Sequence, residues 1–232
     1  MKLAIMGAMP EEVEPLLEFF GDYETINYAN NKYYVVNYKG HEIVIAYSKI
    51  GKVNSTITAV TMIEKFACEK LLFSGVAGAV SPELKVGDLV VATKLAQHDL
   101  DISAFGHPYG FVPEGSVFEE ADKNLIEVAK SVASEKGIFL KEGIIVTGDQ
   151  FVCENERKEW IAKTFDAVAL EMEGASVAVT CNALGVPFFI LRAISDAADM
   201  DASFSFDEFL ETSAKQSASF VIAMIEKIII ND

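Results

Sequence analysis

What most restricts the fold of this chain is a regular alternation: short runs of β-branched and aromatic residues, most of them followed by a longer segment with apolar residues at helical spacing. LAIMG (3–7), YYVVNY (33–38), EIVIAY (42–47), KLLFSG (70–75), DLVVAT (88–93), EGIIVTG (142–148), AVALE (167–171) and FFILRAIS (188–195) read as strands. A helix is predicted from Pro10, which suits a first helical turn, through EEVEPLLEFF. Others are predicted over 53–66, 123–135, 157–164, 175–184 and 206–227. Strands joined through helices imply an α/β sandwich with a largely parallel sheet, and hairpin character is confined to YYVVNYKGHEIVIAY. The plainest such arrangement is an open, doubly wound sheet. No Pro/Ser-rich linker interrupts 232 residues of 51% apolar content, so a single domain spanning 1–232 is expected.

Charge narrows the function classes. Asp and Glu number 35 against 19 Lys and Arg, a formal charge of -16 spread along the chain. A phosphate backbone rewards a basic face, so nucleic acid is not an expected partner. No apolar run reaches the roughly 18 to 20 residues of a membrane span, and FVIAMIEKIII is broken by Glu226 and Lys227. MKLAIMGAMPEE is too short in its apolar part, and too soon acidic, for a signal peptide. A soluble, cytoplasmic protein is expected. Cys68, Cys153 and Cys181 are odd in number and widely spaced, which suits neither a disulfide framework nor a zinc site.

Ligands of open α/β sheets gather beyond the carboxyl ends of strands, and acids and glycines collect there. Gly7, Ala8 and Met9 precede Glu11, Glu12 and Glu14; Gly75, Val76, Ala77, Gly78 and Ala79 follow KLLFS; Gly148, Asp149, Gln150 and Phe151 follow EGIIVT; FFILRAI delivers Ser195 and Asp196. Glu171 and Glu173 flank Met172 in an otherwise apolar run, and point to one side of a strand if that strand continues. A buried unpaired carboxylate is costly, so both need polar partners. Each feature has a purely structural explanation as well. A helix dipole alone favours acids in a first turn, although Glu12 stands one turn above Leu16 at the edge of the apolar face. GVAGA lacks the G-x-G-x-x-G spacing of a dinucleotide site, which leaves a tight turn or close packing. Arg192 and Asp196 fit a buried pair, and Ser195-Asp196 a helix cap. His98, Asp99, Asp101 and His107 are too loosely spaced for a metal site, and no metal is expected.

In order along the chain, IMGAMPEEVEPL, SKIGKVNS, SGVAGAV, LKVGDLVVAT, DISAFGHPYGFVP, VTGDQFV, LEMEGASVA, RAISDAAD and SFDEFL resemble the bacterial 5'-methylthioadenosine/S-adenosylhomocysteine nucleosidases, nearly end to end. The resemblance implies the nucleoside phosphorylase fold, a three-layer α/β/α sandwich whose central mixed sheet is partly closed into a barrel, in place of the open sheet. It implies a homodimer in which a loop of one subunit covers the site of the other. Asp196 then resembles the acid acting at N7 of adenine, oriented by Ser195, and Glu12 the base that activates water beside Arg192. Glu173 resembles the residue gripping the ribose hydroxyls, with Met172 beneath the sugar and Glu171 in support. The main chain of Phe151 and Val152 would read the adenine edge; Ala8, Val76, Ala77 and Gly78 would border the nucleoside. Met9, Ile50 and Phe206, with Ile102, Phe105 and Pro113 of the facing subunit, would line the pocket for the 5' group. Val76 stands where many members have Ser. Together with Gly174 it resembles relatives that also hydrolyse 6-amino-6-deoxyfutalosine on a route to menaquinone, beyond methionine salvage and 5'-deoxyadenosine.

The chemistry asks for the same inventory. Breaking the C1'–N9 bond builds an oxocarbenium-like sugar and pushes electrons into a purine, so an acid is needed at the base and a held water at the sugar. No metal or organic cofactor is required. A phosphorolytic enzyme would need arginines around phosphate, and this chain has only Arg157 and Arg192. A non-catalytic nucleoside sensor would not need both an acid and a base.

Overall fold

The computed structural model describes residues 1–198 and 202–231, so Asp199 of the RAISDAAD stretch lies outside the described residues. β1 (Lys2–Gly7) leads into α1 (Pro10–Phe20), where Pro10 occupies the first turn and its missing N–H costs nothing. β2 (Glu24–Tyr28), β3 (Asn31–Tyr38) and β4 (His41–Tyr47) form an antiparallel meander. α2 (Lys52–Val60) continues as a π-helical turn, Thr61–Lys65, within the single helix expected over 53–66. There follow β5 (Lys70–Ala79), β6 (Leu89–Gln97), the short β7 (Glu119–Glu120), α3 (Lys123–Lys136) and β8 (Leu140–Thr147). α4 (Asn155–Phe165), β9 (Ala167–Glu171), α5 (Gly174–Leu184), β10 (Phe188–Asp196) and α6 (Ala202–Asn231) complete the order.

The sheet is mixed. β5 pairs parallel with β10, β10 antiparallel with β6, β6 parallel with β8, β8 parallel with β9, and β9 antiparallel with β5. Those five strands close into a barrel. From β5 an open wing extends through β1, β4, β3 and β2. The open doubly wound sheet is therefore corrected, and the partly closed sheet implied by the resemblance is the fold. β10 shows why: it is paired on both edges, α6 packs against it, and every residue from Phe188 to Asp196 is buried. A strand so enclosed shows no alternation of buried and exposed residues whether its sheet is open or closed. Among the described residues no helix is long and apolar enough to cross a membrane.

GVAGA is not a turn but the second half of β5, and its glycines have a different reason. A Cβ at Gly75 would lie 2.6 Å from Arg192 Nη1 and 2.7 Å from Glu12 Oε1; one at Gly78 would lie 2.8 Å from Asp196 Oδ1. The bare backbone makes room for three ionisable side chains from two other elements, α1 and β10.

Candidate active site

A cavity of about 310 Å³ opens where these strand ends converge. Register brings Gly78 opposite both Asp196 and Leu170, and Thr147 opposite Glu171. Ala8, Met9 and Glu12 enter from the start of α1, Ile50 from the loop after β4, and Val76, Ala77 and Gly78 from β5. Gln150, Phe151 and Val152 follow β8, Leu170 to Glu173 end β9, Ser195 and Asp196 end β10, and Phe206 comes from α6.

Glu12 is the third residue of α1, from which a carboxylate reaches back to N–H groups before the helix. Its Oε2 accepts from Ala8 N at 2.5 Å and Met9 N at 3.2 Å, while Oε1 accepts from Val76 N at 3.0 Å. Burial pushes its pKa above the ordinary carboxylate value, against the pull of Arg192 and these N–H groups. The result is a better proton acceptor than a surface glutamate.

Arg192 was expected beside Glu12, but its direct ion pair is with Glu171. Nη2 lies 2.5 Å from Glu171 Oε2 and 3.9 Å from Glu173 Oε2, and the guanidinium stacks 4.0 Å over Phe73. Nε and Nη1 are buried and find no partner among the described residues. Nη1 and Glu12 Oε1 border the same small space beside Gly75.

The expectation that Glu171 and Glu173 share one side of a strand is corrected, because β9 stops at Glu171 and Glu173 opens α5. Glu171 turns back to accept from Gly174 N at 2.8 Å and Glu173 N at 3.2 Å, and from the Thr147 hydroxyl. Helix-start N–H groups and a carboxylate satisfy one another here. Glu173 Oε1 instead accepts from Gly51 N at 2.9 Å. Burial, and then the neighbouring Glu171 charge, push its pKa up to about 8 despite Arg192 and Gly51 N–H.

Asp196 lines the cavity from the end of β10. Ser195 Oγ donates to its Oδ2 at 2.8 Å, and Ala198 N to its Oδ1 at 2.8 Å. Phe151 meets Phe206 edge to face at 5.7 Å. Residues 2–226 match the phosphorylase superfamily. The chain belongs to that superfamily. It is 59% identical to the aminodeoxyfutalosine nucleosidase of Campylobacter jejuni over 98% of this chain and 100% of that one. It is 41% identical to a 5'-methylthioadenosine/S-adenosylhomocysteine nucleosidase of Exiguobacterium sp., over 98% and 99%. The Helicobacter pylori 5'-methylthioadenosine/S-adenosylhomocysteine nucleosidase, solved with an aminopyrrolopyrimidine-bearing pyrrolidinol, matches with a TM-score of 0.97 at 53% identity over 98% of each chain. Within the superfamily the chain is thus a nucleosidase, and its chemistry is hydrolysis of an N-glycosidic bond.

In this nucleosidase the candidate residues named from the sequence line the cavity, with four exceptions. Arg192 stands behind the lining, and Ile102, Phe105 and Pro113 are not part of it. Phe105 is 81% exposed. Tyr109 and Phe111, in the same loop, pack within the chain, on Trp160 at 4.8 Å and on His107 at 4.7 Å. Arg157 donates to the His98 carbonyl at 3.2 Å, lies 3.2 Å from His98 Nδ1 and stacks 4.2 Å over Trp160. Burial, with Arg157 contributing, holds the His98 pKa down to about 4. Sequence reasoning placed Gln150 at the strand end but missed Leu170 in the lining, and the Gly51 N–H and Thr147 hydroxyl that serve the two glutamates. Backbone donors leave no residue-type signal.

Proposed function

We propose that the chain hydrolyses 5'-substituted adenosines, 6-amino-6-deoxyfutalosine, 5'-methylthioadenosine and S-adenosylhomocysteine among them, to adenine and the free sugar. The observation that carries this reading is one cavity lined at once by Asp196, Glu12 and Glu173. Asp196, oriented by Ser195, protonates the leaving base at N7. Glu12, its pKa raised, draws a proton from a water that the unpartnered Arg192 donors help to hold; a buried water needs two to four such partners. Glu173 grips the ribose hydroxyls above Met172, and the Phe151–Val152 main chain meets the adenine edge. Neither metal nor cofactor enters the reaction.

Phosphorolysis is disfavoured by the commitments of both arginines. Arg192 is already paired with Glu171, and Arg157 is committed to His98, so no set of arginines remains to clamp a phosphate dianion. The 5' end is bordered by Met9, Ile50 and Phe206, and apolar contacts discriminate weakly, about 1 to 3 kcal/mol per methylene. That supports breadth in the 5' group. The assembly we propose is a cytoplasmic homodimer, in which Ile102, Phe105 and Pro113 of one subunit complete the other's 5' pocket. Val53, Ile57 and Val60 support it, because they expose an apolar stripe at helical spacing along α2, next to Ile50. The unpaired cysteines fit a reducing compartment. Incubation with each of the three nucleosides, with and without phosphate, tests the reading. Adenine and free sugar at equal rates in both are expected; sugar phosphate, or no turnover, would overturn it.

A further inference from the structure

The turn between β4 and α2 holds an unusual backbone. Lys49 has φ 73° and Gly51 φ 98°, so two residues within three lie in the left-handed region. Such backbone persists only where its surroundings fix it. Here the surroundings are a clasp. Lys52 N donates to Asp149 Oδ1 at 2.8 Å, and a Cβ at Gly51 would come within 3.0 Å of that same oxygen. Lys52 Nζ lies 2.7 Å from Asp99 Oδ1, and Asp149 N donates to Asp99 Oδ2 at 2.9 Å. Asp99 thus grips two loops, one with each oxygen. The Lys52 and Asp99 side chains are 19% and 15% exposed, so the pair is largely withdrawn from water. Burial alone would raise the Asp99 pKa, yet Lys52 and the Asp149 N–H hold it below the ordinary value.

What the clasp joins matters. The turn carries Ile50 and the Gly51 N–H that binds Glu173, while Asp149 opens the loop that carries Phe151. We infer that Asp99, though outside the cavity lining, is a positioning residue: through Lys52 and Asp149 it sets the distance between the ribose side and the base side of the site. The inference rests on the cavity being the nucleosidase site. Bound nucleoside must reach Glu173 and the Phe151 loop at once, and misplacement of about 1 Å is enough to weaken a positioned contact.

The test compares the parent with Asp99→Asn and Lys52→Gln in steady-state hydrolysis of 5'-methylthioadenosine, alongside thermal unfolding. In Asp99→Asn the amide nitrogen meets either Lys52 Nζ or Asp149 N–H as donor against donor, so the clasp opens at one side. KM should rise about tenfold, the effect of losing one hydrogen bond to a charged group, while kcat stays within about threefold. Lys52→Gln keeps a hydrogen-bonding end without the charge and should raise KM about threefold. A purely structural role would lower the unfolding temperature and leave KM unchanged well below it; that result overturns the inference. If Asp99→Asn does not fold, Lys52→Gln decides alone, and an unchanged KM again overturns it. A parent that releases no adenine would refute the functional reading instead, so the two failures are distinguishable.

Discussion

In the inner half of the cavity Glu12, Glu173, Arg192 and Asp196 are at most 5% exposed, and the carboxylates are tied to backbone N–H groups, a hydroxyl or a guanidinium. At the outer rim Ile50 is 51% exposed and Phe151 47%, and the Phe151 ring meets that of Phe206. Both halves belong to one cavity, yet they are built by opposite means. A buried charge is so unfavourable without partners that the carboxylates of the inner half take theirs from within the chain. An apolar rim carries no such requirement, and can be completed by a substrate or a second subunit.

The comparison is broken most sharply at Asp196. Asp196→Asn keeps the shape but has no proton to surrender, so kcat for adenine release should fall about 10²- to 10⁴-fold with the nucleoside still bound. Turnover within a few-fold of the parent would remove Asp196 from the role. Gly75→Ala attacks the inner half sterically, since its methyl would press on both Arg192 Nη1 and Glu12 Oε1. Overpacking of this kind typically costs about 1–3 kcal/mol, read as a lower unfolding temperature, and activity should fall with it.

A pH titration sharpens the same contrast. Glu173 holds its proton up to about 8 in the folded chain, well above the ordinary carboxylate value of 4.5. Between those values the native state binds more protons than the unfolded one, so stability should decline as pH rises from the lower to the higher and then level off. Glu173→Gln should flatten that slope in unfolding scans of the substrate-free protein; an unaltered slope would place the titration elsewhere. The smallest effect belongs to the rim. Phe105→Ala should raise KM for 5'-methylthioadenosine about fivefold, weaken dimerisation in sedimentation, and leave kcat nearly unchanged. An unchanged KM in a stable dimer would detach this loop from the partner's site.

How far the sequence carries differs between these halves for the same reason. Strands and helices were legible because pleat and helix periodicities are local, and Pro10 marked the start of α1 where the structure has it. β2 escaped because ETINY exposes all but Ile26 and owes its form to pairing with β3. Glu12 and Asp196 stood out as acids at the ends of apolar segments, and the structure sets both in the cavity. The partners of Glu171 and Glu173 could not be read in this way. Glu173 takes its N–H from Gly51, 122 positions away, and Glu171 its hydroxyl from Thr147, 24 positions away. A single amide among hundreds carries no mark of its role until the chain is folded. The closing of the barrel was hidden likewise, because β10 would be buried along both faces in either an open or a closed sheet. By itself, then, the sequence determined the elements, their order and the acids at their ends, all set by short-range sterics and burial pattern. Which strand closed on which, which glutamate took Arg192, and which backbone N–H groups met the carboxylates were set by tertiary packing, because a buried carboxylate must find its partner wherever the folded chain brings one.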